Sequence, residues 1–227
     1  MPARRLRDLD GDVRLGARIA LALLALLWGC NTINPPIVQS QVVKASPGLL
    51  RKVAVVPFLP DPTLRPSGSD PRGVSAAVAA DLVTRFVTEA LTARGVAVVA
   101  PNDLVVAFES QGSVLPRGDA AALAEVAASQ FGASSIVMGT VSRYQEREGG
   151  TRGALRPAAV SFGFTLSAAP GGAPAYRVRF DHTQTALSAN LFTGLRYPGN
   201  GTRWLTAAEL ARWGADNAVA EIPSGME

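Results

Sequence analysis

Apolar and polar positions change rhythm several times along the chain, and each change marks an element. Residues 19–28 are an unbroken apolar run after a stretch punctuated by arginines. That run is about half of the ~20 residues a helix needs to cross a bilayer, so it is expected to be a leader and not a membrane span. Residues 31–50 have no helical period and contain Pro35 and Pro36, which together predict an extended spacer. Ile37, Val38, Val42 and Val43 offer the alternative, an edge strand lying on the domain. The run KVAVVPF at 52–58 has the profile of a strand buried on both faces. The proline, glycine and aspartate of 59–73 then predict a surface loop.

From Val74 the period becomes helical. Val74, Val78, Leu82, Phe86 and Ala90 recur every four residues beside Val83, Val87 and Leu91, with Asp81, Arg85 and Glu89 on the other side. Gly95 should end this helix. A short buried strand is expected at 96–100, then a short helix from Pro101 to about Ser110, with Asn102 or Asp103 as its capping candidate. Asp119 can cap an alanine-rich helix through Phe131 that packs through Leu123, Val126, Ala127 and Phe131 and stops at Gly132.

Three strands follow. Residues 134–145 start apolar on both faces and turn polar. Val160, Phe162, Phe164 and Leu166 alternate with Ser161, Gly163, Thr165 and Ser167, and Tyr176, Val178, Phe180 and His182 alternate with Arg177, Arg179, Asp181 and Thr183. Such period-two patterning predicts antiparallel strands with one solvated face, the last two joined as a hairpin through AAPGGAP. Thr206 and Glu209 form a capping box that opens a final helix through about Ala220. This order implies an α/β fold, a two-layer or three-layer mixed sheet with flanking helices, C-terminal antiparallel strands and a final helix.

The apolar leader ends at the only cysteine of the chain. Leu27, Trp28, Gly29 and Cys30 resemble the bacterial lipobox, which has an apolar residue at minus three, a small one at minus one and then cysteine; Trp28 is larger than the residue usual at its position. The resemblance implies cleavage between Gly29 and Cys30 and covalent diacylglyceryl and N-acyl lipid on Cys30, with no other cofactor. Two or three acyl chains anchor a domain stably where one does not. Asn31, in place of the aspartate that retains enterobacterial lipoproteins in the inner membrane, implies the outer membrane. The expected division is a signal peptide at 1–29, a lipidated tether at 30–50 and a single periplasmic domain at 51–222.

Charge sharpens that picture. Cleavage would remove five of the 22 basic and three of the 18 acidic side chains, leaving scattered arginines and no nucleic-acid footprint. With Cys30 lipidated and one histidine in the chain, zinc and iron–sulfur ligation lose their ligands.

KVAVVPF, the long helix after it and ASSIVMGTVSRYQE before the antiparallel strands resemble the curli-secretion-channel (CsgG-like) lipoprotein superfamily. Its fold is shared with the N-terminal domain of the Tol-Pal propeller protein and with activators of penicillin-binding proteins. The likeness covers 52 to about 185 and rests on core-strand patterns, which speak to fold more than to function. The tail from FDHTQTALSANL to WLTAAELARWGA is also similar to small bacterial lipoproteins.

Catalytic candidates are few. His182 would have to serve any nucleophilic triad, but it lies on the apolar side of its strand, where packing is the expected role, and Asp181 points to the opposite face. The sequence GGTRG lacks the P-loop ending. The loop from Gln145 to Pro157, with Glu146, Arg147, Glu148, Arg152 and Arg156, is the best candidate for binding a partner. Phe192, Tyr197, Trp204 and Trp213 are expected to pack the last helix on the sheet. The function implied is a non-catalytic outer-membrane lipoprotein whose partners are the membrane and an envelope protein, as adaptor or activator. An oligomeric secretion-channel subunit, possible as a homo-oligomer, and an envelope hydrolase are the alternatives; strand accounting leaves no spare hairpin for a pore.

Overall fold

The computed structural model describes residues 36–62, 74–186, 188 and 195–227. The leader, Gly29, Cys30, most of the loop before the long helix, and Phe192 lie outside the described residues. Residues Ile37–Glu227 form one compact unit, a mixed sheet with helices on both faces.

In chain order the elements are β1 (Val38–Val42), β2 (Lys52–Val55), β3 (Leu59–Pro60), α1 (Ala76–Ala93), β4 (Ala97–Val99), α2 (Pro101–Ser110), α3 (Ala120–Phe131), β5 (Ser135–Gln145), β6 (Glu148–Gly149), β7 (Ala154–Arg156), β8 (Ala159–Ala168), β9 (Pro174–Thr183) and α4 (Ala207–Ala220). The sheet order is β1-β9-β8-β5-β2-β4, with β3 also pairing β5. β2, β3 and β4 make parallel pairings, while β5, β8, β9 and β1 are successively antiparallel.

Two cores sandwich this sheet unevenly. One face is sealed along its length by α1 and α4 over Val53, Val55, Val137, Phe162, Leu166 and Phe180. On the other face, α2 and α3 cover β2, β4 and the start of β5 through Leu104, Phe108, Leu123, Ala127 and Ile136. The fold is therefore three layers thick at one end, while β8, β9 and β1 turn a polar face outward at the other.

Local signals explain most boundaries. Asp119 Oδ1 accepts from the backbone of Ala121 and Ala122 at 3.0 Å, and Gly132, at φ 63°, closes the same helix in the left-handed region that other residues avoid. The Thr206–Glu209 capping box is present. The expected cap of α2 is absent: Asn102 and Asp103 lie inside the helix, whose N-cap is Ala100 with no side-chain bond. Pro101 at the first helical position needs no cap for the N–H it lacks. Ser75, unforeseen, caps α1.

Residues 38–42 are not a free spacer. They form β1, pairing antiparallel with β9 from Val38 opposite Phe180 to Val42 opposite Tyr176, which is the edge-strand alternative. Leu49 and Leu50 are buried, and Ser135 Oγ donates to Leu49 O at 2.6 Å. At the other end Leu50 N donates to Met226 O at 2.9 Å, so the packed unit runs past both 51 and 222. The loop expected from 59 likewise begins later, because Leu59 and Pro60 pair with Thr140 and Val141.

A register shift in β5 between Val141 and Arg143 inserts one residue. The bulge lets Val141 and Tyr144, three apart, both face the main core. Burial, then the nearby Glu146 charge, pushes the Tyr144 hydroxyl up to about 12.

Candidate functional site

The candidate loop divides into a structural part and a presented part. Glu146 is turned inward: both carboxylate oxygens accept from Ala207 N, at 3.2 and 3.1 Å, and one also accepts from Arg147 N at 3.0 Å. Placed at the first turn of α4, this anion also satisfies the helix dipole. Arg147 Nη1 donates to Trp204 O. Glu148 and Arg156 pair across the short β6–β7 hairpin at 2.6 Å, both half-exposed, and Arg152 is exposed. Of the five charged residues, Glu148, Arg152 and Arg156 face outward. Glu146→Gln should destabilise the fold by about 1–2 kcal/mol, read by urea denaturation, because the charged acceptor of the orphan Ala207 N–H at the helix start is lost.

Glu209 shows the electrostatics of the same corner. The hydrogen bond from Arg203, aided by Thr206 N, holds its carboxyl down at about 2 against the opposing effect of burial. Since the folded value is depressed, this contribution is complete above the unfolded carboxylate value near 4.3 and is lost as pH falls toward about 2. Glu209→Gln should flatten acid unfolding in that window, modestly, because both partners are roughly 40% exposed (41% and 38%).

His182 is packed, as its strand position implies. Its ring lies 5.4 to 5.9 Å from those of Tyr197, Trp213 and Phe180, and Nε2 is 2.5 Å from Tyr197 Oη. Burial is the main cause that lowers its pKa; Arg196 and Arg143 push the same way and Asp181 opposes. The unfolded chain therefore takes up the proton first, so stability declines as pH falls below about 6.5 until the folded value is passed. Urea midpoints at about pH 7.5 and about pH 5 should differ less in His182→Gln than in the parent. Asp181 is on the opposite face, bonded to Arg143 and Arg179, so no oriented His–Asp pair exists. Tyr197 and Trp213 pack as expected, 5.1 Å apart. Trp204 is half-buried.

A site not foreseen in the sequence lies on the polar half of the sheet. Beyond the reach of α2 and α3, the open faces of β5, β8, β9 and β1 form a groove of about 670 Å³, walled by the turn before α3. Strand register builds it in rows. Thr140, Gly163, Arg179 and Gln39 lie across one row, and Met138, Thr165, Arg177 and Gln41 across the next. Val56, Leu59 and Met138 supply an apolar floor, and Arg117 reaches in from the α3 side. Among the described residues, no carboxylate lines the groove or pairs with Arg117 or Arg177. The alternation of 161–167 and 177–183 marked this face as solvated. Its identity as a groove needed β1, whose glutamines complete it.

Among the described residues no group of three or more His, Cys, Asp or Glu side chains could hold a metal, and no helix is long and apolar enough to cross a membrane.

No family model matches this sequence, and no curated protein matches it. Solved structures similar to it include the PelC dodecamer from Paraburkholderia phytofirmans, at 18% identity over 69% of this chain and 89% of that one, TM-score 0.37. Lipoprotein GNA1162 from Neisseria meningitidis is similar at 19% identity over 64% and 93%, TM-score 0.37. The LpoB C-terminal domain from Escherichia coli is similar at 15% identity over 60% and 84%, TM-score 0.35. Likenesses at these TM-scores carry no inference about activity or partners.

Proposed function

We propose that this chain is a lipid-anchored envelope protein, fixed through Cys30 to the periplasmic face of the outer membrane, that acts by binding and not by turnover. The observation that supports this most is order along the chain. The sole cysteine closes the apolar leader, and the compact unit begins at Ile37, seven residues later. A cysteine that closes such a run stands where the lipobox resemblance puts the residue to be modified. The likeness of the core strands to CsgG-like lipoproteins belongs to the same reading.

The one histidine is committed to an aromatic cluster, which favours a binding role over acid–base chemistry. An envelope protein, such as a cell-wall synthase, a transport complex or further copies of this chain, would meet the β6–β7 hairpin at Glu148, Arg152 and Arg156. Mass spectrometry of the mature protein should find an N-terminal Cys30 bearing diacylglyceryl and N-acyl groups. Cys30→Ala should abolish partition into the detergent phase of a Triton X-114 separation. A mature chain that keeps its leader, or an unmodified Cys30, would overturn the anchor.

A further inference from the structure

The geometry points to the arginine-lined groove on the open sheet face as a site for a phosphate-bearing phospholipid headgroup of the membrane that holds the anchor. The inference rests on the lipid-anchor reading for the nearness of that membrane, and on the groove itself for the chemistry.

The charge pattern calls for an anion. Arg117, Arg177 and Arg179 line the groove, and no carboxylate lines it among the described residues. Asp181, just outside, is shared between Arg143 and Arg179, so it compensates one positive charge of the four on this face. Guanidinium groups present flat donor forks suited to phosphate oxygens. Thr140, Thr165 and Ser167 add hydroxyl donors between them.

The floor calls for an amphiphile. Val56, Leu59 and Met138 line the β5 side of the groove, across β8 from Arg177 and Arg179, an arrangement wasted on a free phosphate. A glycerophospholipid would place its phosphate on the guanidinium groups and its glycerol and first methylenes on that floor, and about 670 Å³ is room for such a fragment.

Chain length then selects the source. Gln39 and Gln41 belong both to β1 and to the groove wall. Cys30 precedes Gln39 by nine residues, which span at most ~32 Å when fully extended. A bilayer gripping acyl chains on Cys30 is thus within one short leash of the groove, a far higher effective concentration than a soluble acidic peptide would reach.

The test uses full-length Cys30→Ala protein, which carries no acyl chains, and co-sedimentation with phosphatidylcholine vesicles with or without phosphatidylglycerol. The arginines of the leader favour the anionic vesicles in every variant alike, so the difference between variants reads the groove. The parent should prefer the anionic vesicles by about a hundredfold at low salt, at roughly 1 kcal/mol per arginine. The triple variant Arg117→Glu, Arg177→Glu, Arg179→Glu should lose that preference. The equally charged variant Lys44→Glu, Arg51→Glu, Arg85→Glu, at exposed positions outside the groove, should keep it. Should the glutamate variant melt early, the Arg→Gln triple at the groove positions takes its place, with the preference falling to the leader's own share.

Equal loss in both triple variants would reduce the effect to net charge and overturn the site. So would a parent without preference. Tight binding of glycerol phosphate or polyglutamate in place of vesicles would overturn the lipid as occupant. Mass spectrometry of Cys30 decides the anchor separately: an unlipidated cysteine with the vesicle preference intact removes the anchor and spares the groove, and the converse removes the groove alone.

Discussion

Replacing Phe180 with alanine should lower the free energy of unfolding by about 3–5 kcal/mol, the range for deleting a fully enclosed aromatic ring. Phe180 has no exposed surface and joins three elements. Its ring lies 5.3 Å from that of Phe162 on the neighbouring strand, 5.9 Å from His182 and 6.0 Å, edge-on, from Trp213 of α4. Gly214 has no side chain where Phe180 approaches, since a Cβ there would lie 2.7 Å from the ring. The cavity left by alanine cannot close by a small shift, because α4 is held at both ends. Its first turn is capped by Thr206 and Glu146, and its last by Arg94 Nη1 donating to Val219 O at 2.6 Å. Guanidinium unfolding should show the loss. The near-ultraviolet circular dichroism of Trp213 should weaken with it, and the His182 ring should titrate closer to 6.5 as water enters. A loss below about 1 kcal/mol would mean the aromatic cluster is not the keystone of the α4 side.

The aromatic positions were readable because a strand repeats every two residues. Once Tyr176, Val178, Phe180 and His182 share a face, the sequence dictates that Arg177, Arg179 and Asp181 share the other. Helix ends were readable where one side chain decides them, as at Asp119 and Thr206. They were not where the decision is made by a missing donor, as at Pro101.

The candidate site was less legible, for a different reason. Glu146 and Arg156 look alike in the sequence, as charges in a glycine-rich connector. Only the packing of Ala207, sixty-one positions further on, makes one a helix clamp and leaves the other at the surface. The groove depends on longer-range pairing still. Its walls join Gln39 to Arg179 and Thr140 to Gly163, and the local pattern of Ile37, Val38, Val42 and Val43 offers an edge strand without saying that it pairs with β9. Polar, proline-flanked β1 also carries the marks of an edge strand protected from pairing with other chains, with Ser40 and two glutamines in five residues. Those same polar residues lowered its apparent β propensity, which is why a spacer was the first expectation.

The second large effect is expected at Gly139. This residue sits mid-strand in β5, opposite Phe164 of β8, and a Cβ built there would lie 2.3 Å from the ring of Phe58. Real Cβ atoms do not approach that closely, so either the ring or the strand must move. The ring has little freedom: Phe58 is 3% exposed, its centroid is 6.3 Å from that of Phe164, and its backbone N–H donates to Thr84 Oγ1 of α1 at 2.9 Å. Thr84 in turn donates to Ala80 O at 2.7 Å, which ties the clash to the long helix. Strand β5 has no more room, since it is paired on both sides by β2 and β8. Gly139→Val should therefore cost about 3 kcal/mol or more, at the upper end for overpacking. The discriminating measurement is a double-mutant cycle with Phe58→Leu, which shortens the ring that clashes. If the steric account is right, the pair should recover at least about 1 kcal/mol relative to the sum of the single losses. Additive losses would place the cost in β5 itself, in its contacts with the neighbouring strands, and not in the approach of Phe58.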